Sequence, residues 1–171
     1  MKRVIASVLA FLVLVSIPTP LFAKGEIVKV TIKGADLKNL MEITDLKVLG
    51  DANVDVWAGP GVRVNGKEQT EGFIIDWPQG VVAELPRGLQ HYEVSFYAKS
   101  EEVRLVYVVS YDYNPSTEQG FIYLPGKGEK WFNLNCGTIC HGDAFEGNWF
   151  RATKAWENAV RPLISKQRAQ L

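Results

Sequence analysis

The alternation in residues 91 to 113 constrains this chain most. HYEVSFYAK (91–99) puts Tyr92, Val94, Phe96 and Ala98 on one face. After a polar SEE turn (100–102), VRLVYVVSYDY (103–113) puts Val103, Leu105, Tyr107, Val109 and Tyr111 on one face, with Val106 and Val108 on the other. A period of two is the signature of a strand. A strand apolar on both sides at its middle belongs in the centre of a sheet or between two layers. NPSTE (114–118) is a turn-rich loop, GFIYLPG (120–126) reads as the next strand and KWFNL (130–134) as one more. Residues 91 to 134 are thus expected to form an antiparallel meander.

The flanking segments fit that frame. GEIVKVTIKG (25–34) alternates, with Val28, Val30 and Ile32 opposite Lys29, Thr31 and Lys33. EIT (42–44) is a short strand candidate, and Thr44 or Asp45 is placed to cap a helical turn over Leu46 to Leu49. WAGPG (57–61) is a turn, and the Asn-Gly pair in RVNGK (63–67) signals a hairpin. GFIIDW (72–77), ended by Pro78, and VVAELP (81–86) are further strand candidates. The period then changes. Trp149, Thr153, Trp156, Val160, Leu163 and Gln167 make one stripe of a helix, with Lys154, Glu157, Asn158, Arg161 and Lys166 largely off it. Pro162 would remove a backbone bond from a single long helix at a cost of about 3 kcal/mol, so a kink or break is expected there. The pattern predicts an α+β or mainly β domain: an antiparallel sheet or two-layer β-sandwich, closed by a C-terminal amphipathic helix that lays its tryptophans on the sheet.

Residues 1 to 23 stand apart. MKR is cationic, Val4 to Ile17 is apolar but for one Ser, and PTPLFA follows. This is the order of a secretory signal peptide, with cleavage expected after Ala23. The competing reading is a retained anchor, since the 20 residues Val4 to Ala23 match the length of a spanning helix. Cleavage leaves 148 of 171 residues, a single globular domain over 24–171. Lys2 and Arg3 leave with the signal, so 17 basic residues face 19 acidic ones, a formal charge of −2. That balance gives no electrostatic reason to expect nucleic acid as a partner. A membrane is a partner only if the signal segment is retained.

Both cysteines lie in NCGTICHG (135–142). An exported chain meets an oxidising setting, and Cys136 and Cys140, separated by a looped Gly-Thr-Ile, can reach bridging distance. The expected disulfide closes a short loop, so it fixes local structure and adds only modest stability. Three other readings are weaker. Haem attachment uses Cys-x-x-Cys-His, whereas here three residues intervene. A redox dithiol normally follows a βαβ pattern that is missing. A metal site built on Cys136, Cys140 and His141 would need a fourth ligand from His91, Asp143 or Glu146. No cofactor or metal is assigned.

No catalytic constellation stands out. His91 opens a strand on its polar face, where solvation is the simple expectation. Asp76, Glu84, Glu93, Asp112 and Glu146 could supply a carboxylate pair for glycoside cleavage, but any chain of this size offers such pairs. Aromatic residues are in surplus. Trp57 and Trp77 lie in or beside Gly/Pro turns, where exposed rings could contact a sugar or apolar ligand; the simpler expectation is that they plug the ends of the sheet stack. The sequence therefore points to an exported, non-enzymatic domain binding an unknown protein or small ligand. An envelope-polymer hydrolase using paired carboxylates is the alternative.

Three stretches carry a likeness: VKVTIKGADLKNLMEITD (28–45), VWAGPG (56–61), and YNPSTEQGFIYLPGKGEKWFNLN with WFRATKAWENAVRPLI (113–135, 149–164). Together they resemble a group of uncharacterised exported bacterial proteins. The resemblance implies one folded unit in a bacterial envelope or outside the cell, and implies no activity or ligand.

Overall fold

The computed structural model describes residues 25–34, 37–55, 58–64 and 66–169, with the side chains of 51–55 and 64 left aside. The expected signal segment and Trp57 fall outside that range. Among the described residues, no helix is long and apolar enough to cross a membrane.

The alternating segments build one seven-stranded sheet. Its strands are β1 (Glu26–Gly34), β2 (Met41–Ile43), β5 (Val81–Val82), β6 (Gln90–Lys99), β7 (Val103–Tyr113), β8 (Gly120–Tyr123) and β9 (Trp149–Arg151), in the spatial order β2-β1-β6-β7-β8-β9-β5. Every pairing is antiparallel. A separate ribbon pairs β3 (Arg63–Val64) with β4 (Lys67–Glu68) around the expected Asn-Gly turn. The architecture is thus one main antiparallel sheet with helices and a two-stranded ribbon, within the α+β class, which is the open-sheet form of the expectation.

The strand that reads as apolar on both sides is the central one. Tyr92 lies opposite Tyr111, Val94 opposite Val109 and Phe96 opposite Tyr107, so one face is continuous and buried. Val106 is the extra residue of a bulge, because Phe96 pairs with Tyr107 while Tyr97 pairs with Leu105. The bulge changes the phase of the strand. Leu105 therefore leaves the face of Tyr107, and Val103 is exposed.

The lid is α3 (Lys154–Arg168), which buries Trp156, Val160 and Ile164. Trp156 meets Phe73, Phe96 and Tyr111. Thr153 caps it, accepting Trp156 N–H at 3.0 Å on Oγ1 while its hydroxyl donates to Phe73 O. The stripe therefore begins later than its spacing suggests: Trp149 belongs to β9. The expected break at Pro162 is absent, and the helix runs through it. Asn158, whose carbonyl loses its partner there, is exposed, as is Pro162, so water can take that bond.

Four other segments differ from expectation. Leu46 begins a full helix, α1 (Leu46–Asp55), with Asp45 Oδ1 accepting Lys47 N–H at 2.9 Å. VVAELP yields strand only at Val81–Val82. Residues 73–75 are buried three in a row and make a single bridge, Ile75 to Ala152, before a 3-10 turn at Trp77–Gln79. KWFNL is the start of a helix, α2 (Phe132–Thr138), and not a strand. Strand β8 pairs with β7 only along Ser110–Tyr113. The edge that it leaves at Val106–Val108 is closed by side chains of α2. Asn135 accepts Val108 N–H at 2.8 Å and donates to Val108 O at 2.7 Å, and Thr138 donates to Val106 O at 2.6 Å. One buried side-chain amide thus does the work of a peptide unit in a neighbouring strand.

Candidate functional site at the disulfide loop

The residues with the most distinctive chemistry meet at the C-terminal end of α2. Cys136 and Cys140 are joined in a disulfide, Cα atoms 4.3 Å apart, with Cys136 half-buried and Cys140 exposed. Ile139 between them is buried and anchors the loop to the core. The chain then turns through Gly142, whose carbonyl accepts from Phe145 N–H at 2.9 Å and Glu146 N–H at 3.1 Å. That turn folds Glu146 back, and its Oε1 accepts His141 N–H at 3.0 Å.

The base of the loop is aromatic. The His141 ring lies 4.5 Å from Trp77 and donates from Nδ1 to Pro60 O at 3.2 Å. Trp77 also meets Phe150 at 5.0 Å and Phe145 edge-on at 5.9 Å, and its indole N–H reaches Ala58 O at 3.0 Å. Trp77 is 8% exposed, so it is a plug and not an open stacking platform. Gly59 makes the approach of these rings possible. At φ +147°, a Cβ there would stand 2.5 Å from His141 Cε1 and 2.7 Å from the Trp77 ring.

Electrostatics sets Glu146 apart. It is 7% exposed, and its Oε2 has no hydrogen-bond partner. Burial pushes its pKa above the ordinary carboxyl value, against the lowering effect of the His141 N–H. The buried Tyr107 hydroxyl is also pushed up, by burial first and then by the Glu146 charge. Oxygen of Glu146 and the two sulfurs lie within 4.8 Å of one another.

A second polar cluster sits under α3. Tyr111 donates to Glu157 Oε2 at 2.9 Å, Arg161 forms an ion pair with the same carboxylate, and the guanidinium lies 4.6 Å over the Tyr113 ring. Arg161 also donates to Thr117 O and, through Nε, to Tyr111 Oη at 3.2 Å. A cleft of about 610 Å³ opens above, between the 115–118 loop and α3. A smaller one, about 470 Å³, lies between β2 and the end of α3.

The five acids considered for paired catalysis have separate settings. Glu146 is in the loop. Asp112 pairs with His91 at 2.7 Å, so His91 is exposed but not merely solvated. Burial raises the Asp112 pKa, against the pull of His91. Glu93 binds Lys33 at 2.8 Å and Trp131 Nε1 at 3.0 Å. Burial would raise its pKa, but those bonds and the charges of Lys33 and Lys130 outweigh it and the net shift is downward. Asp76 stands half-buried before the 3-10 turn, and Glu84 is exposed.

Sequence reasoning joined Cys136, Cys140 and His141, with Glu146 among the possible fourth ligands, in one of its weaker readings and treated Trp77 apart; the fold brings all five into one site. It missed Asn135 and Thr138 as edge caps, and Glu157 and Arg161 as buried partners. The last two are four apart on a helix, which signals an ion pair but not burial. The chain matches no protein-family model, no curated protein and no solved structure.

Proposed function

We propose that this chain is an exported, non-enzymatic binding domain that presents the loop of residues 136–147 to a protein or small ligand of the cell envelope. It belongs by this reading with the exported bacterial group that its sequence resembles. The observation that carries the reading is the loop itself. A disulfide and an aromatic base fix it, while Gly137, Cys140, Gly142 and Asp143 stay exposed at its surface. Rigid scaffolds that hold an exposed loop are where recognition concentrates, because a pre-ordered loop loses little entropy on binding. Hydrolysis by paired carboxylates has less support, since Glu93 and Asp112 are each engaged by their own partner and Glu146 faces the disulfide.

The test is co-sedimentation of oxidised, exported protein with isolated cell-envelope fractions, after mass spectrometry of its N-terminus. We expect a chain that begins at Lys24 and binds the fraction. Asp143→Ala should lose that binding, and Glu101→Ala, on the β6–β7 turn and outside the loop, should keep it. Equal binding by both variants would remove the loop from the reading. No binding by the parent protein would remove the envelope.

A further inference from the structure

We propose that Cys136, Cys140 and Glu146 form a site for a thiophilic divalent cation, Zn²⁺ in particular, which opens when the disulfide is reduced. The inference deepens the reading of the 136–147 loop as the contact element and rests on it. The starting point is the orphaned carboxylate oxygen. Glu146 is buried, its Oε1 is held by the His141 N–H, and its Oε2 has no hydrogen-bond partner although the two sulfurs are close by. A disulfide offers a carboxylate neither a positive charge nor a hydrogen-bond donor. In the oxidised form, then, the His141 N–H offsets only part of the cost of burying this group.

The reduced form changes the chemistry of the same three groups. Two thiolates and a carboxylate make a mixed S₂O donor set with three negative charges, which suits Zn²⁺ far better than Mg²⁺ or Ca²⁺. With Zn–S near 2.3 Å and Zn–O near 2.1 Å, a tetrahedral ion needs its donors about 3.5–3.8 Å apart. The oxygen and sulfur atoms already lie within 4.8 Å of one another. A side chain at Gly137 or Gly142 would meet nothing within 4 Å, so no packing at those two positions opposes a small shift of the sulfurs. The fourth position is left to water or to a ligand, as in zinc sites that do more than hold a fold together.

The steps balance. A dithiol reductant attacks the exposed Cys140 sulfur, and its second thiol resolves the mixed disulfide. Two electrons and two protons pass to the cysteine pair, and the reductant leaves as a disulfide. Zn²⁺ then binds the two thiolates and the carboxylate, and the two thiol protons go to solvent.

The full mature chain is titrated with Zn²⁺ alone against a chromophoric chelator, before and after reduction under anaerobic conditions, and with Co²⁺ as a spectroscopic probe. Reduced protein should take up one equivalent and show a thiolate-to-cobalt charge-transfer band; oxidised protein should take up none. Cys136→Ser and Cys140→Ser should each abolish the band. Glu146→Gln keeps the volume of the side chain and removes a buried charge, so it folds. Its affinity should fall at least about tenfold, the smaller loss seen even for partners outside the metal shell. No uptake by the reduced parent, or loss of its circular-dichroism spectrum on reduction, overturns the proposal. Unchanged affinity in Glu146→Gln overturns it too, because the ion would then sit on an adventitious thiol pair. Envelope binding by the oxidised protein without metal tests the loop reading by itself, so the two can fail separately.

Discussion

Two buried glutamates in this molecule have equal exposure and opposite settings. Glu146 and Glu157 are each 7% exposed. Glu157, on α3, faces a guanidinium and a tyrosine hydroxyl through Oε2, while its Oε1 has no hydrogen-bond partner. Glu146, beside the disulfide, has one backbone N–H and no cation. The contrast teaches that burial does not determine a carboxylate's role; the partner does. The pair lies within α3, and its Arg161 also donates to Thr117 O, which ties the helix to the 115–118 loop. An unpaired carboxylate keeps a pending demand for a cation.

The comparison breaks most sharply at Arg161. Arg161→Met should strand the Glu157 charge and destabilise the fold by about 3–5 kcal/mol, measured by urea denaturation. A loss below about 1 kcal/mol would mean that Glu157 needs no counter-charge. Asn135→Ala tests a neutral member of the same buried polar class. It uncovers the N–H and C=O of Val108, and each group left bare should cost about 1–3 kcal/mol. Gly59→Ala should destabilise by about 1–3 kcal/mol through the displaced rings, with quenching changes in the fluorescence of Trp77.

The smallest effect has a sign that separates the two glutamates. The folded pKa of Glu146 is raised above its unfolded value. Between those two values the folded chain keeps a proton that the unfolded chain has released, so stability falls as pH rises through that window. Glu146→Gln removes the fall. Denaturation midpoints of the oxidised proteins at about pH 4 and about pH 7 should therefore differ less in the variant than in the parent. Asp112 contributes with the same sign and Glu93 with the opposite one, and both cancel in the comparison. A variant that loses more stability than the parent on going to pH 7 would refute the assignment.

The sheet was legible because each strand of the meander carries its own face in its spacing. Tyr92, Val94 and Phe96 needed no partner to be read as core. The helical lid was legible for the same reason, from Trp156 and Val160. What hid was structure set by distant contacts. FNLN has no period long enough to choose between strand and helix, and only the free edge of β7 makes Asn135 useful. Phe73, Ile74 and Ile75 look like a strand because they are apolar, yet they are buried on all sides and pair just once. At the site, the expected export together with the spacing suggested the Cys136–Cys140 pair. Nothing in the order of residues places Trp77 or the Pro60 carbonyl against His141, since both contacts cross more than sixty positions of chain.

The Asn135 amide also guards solubility. The stretch of β7 that it occupies is apolar on both faces, the kind of strand to which a second molecule could add its own. While α2 stays docked, such growth cannot start at this stretch of β7. A molecule that loses this seven-residue helix would offer neighbours a template, and its first visible defect would be fibres or precipitate.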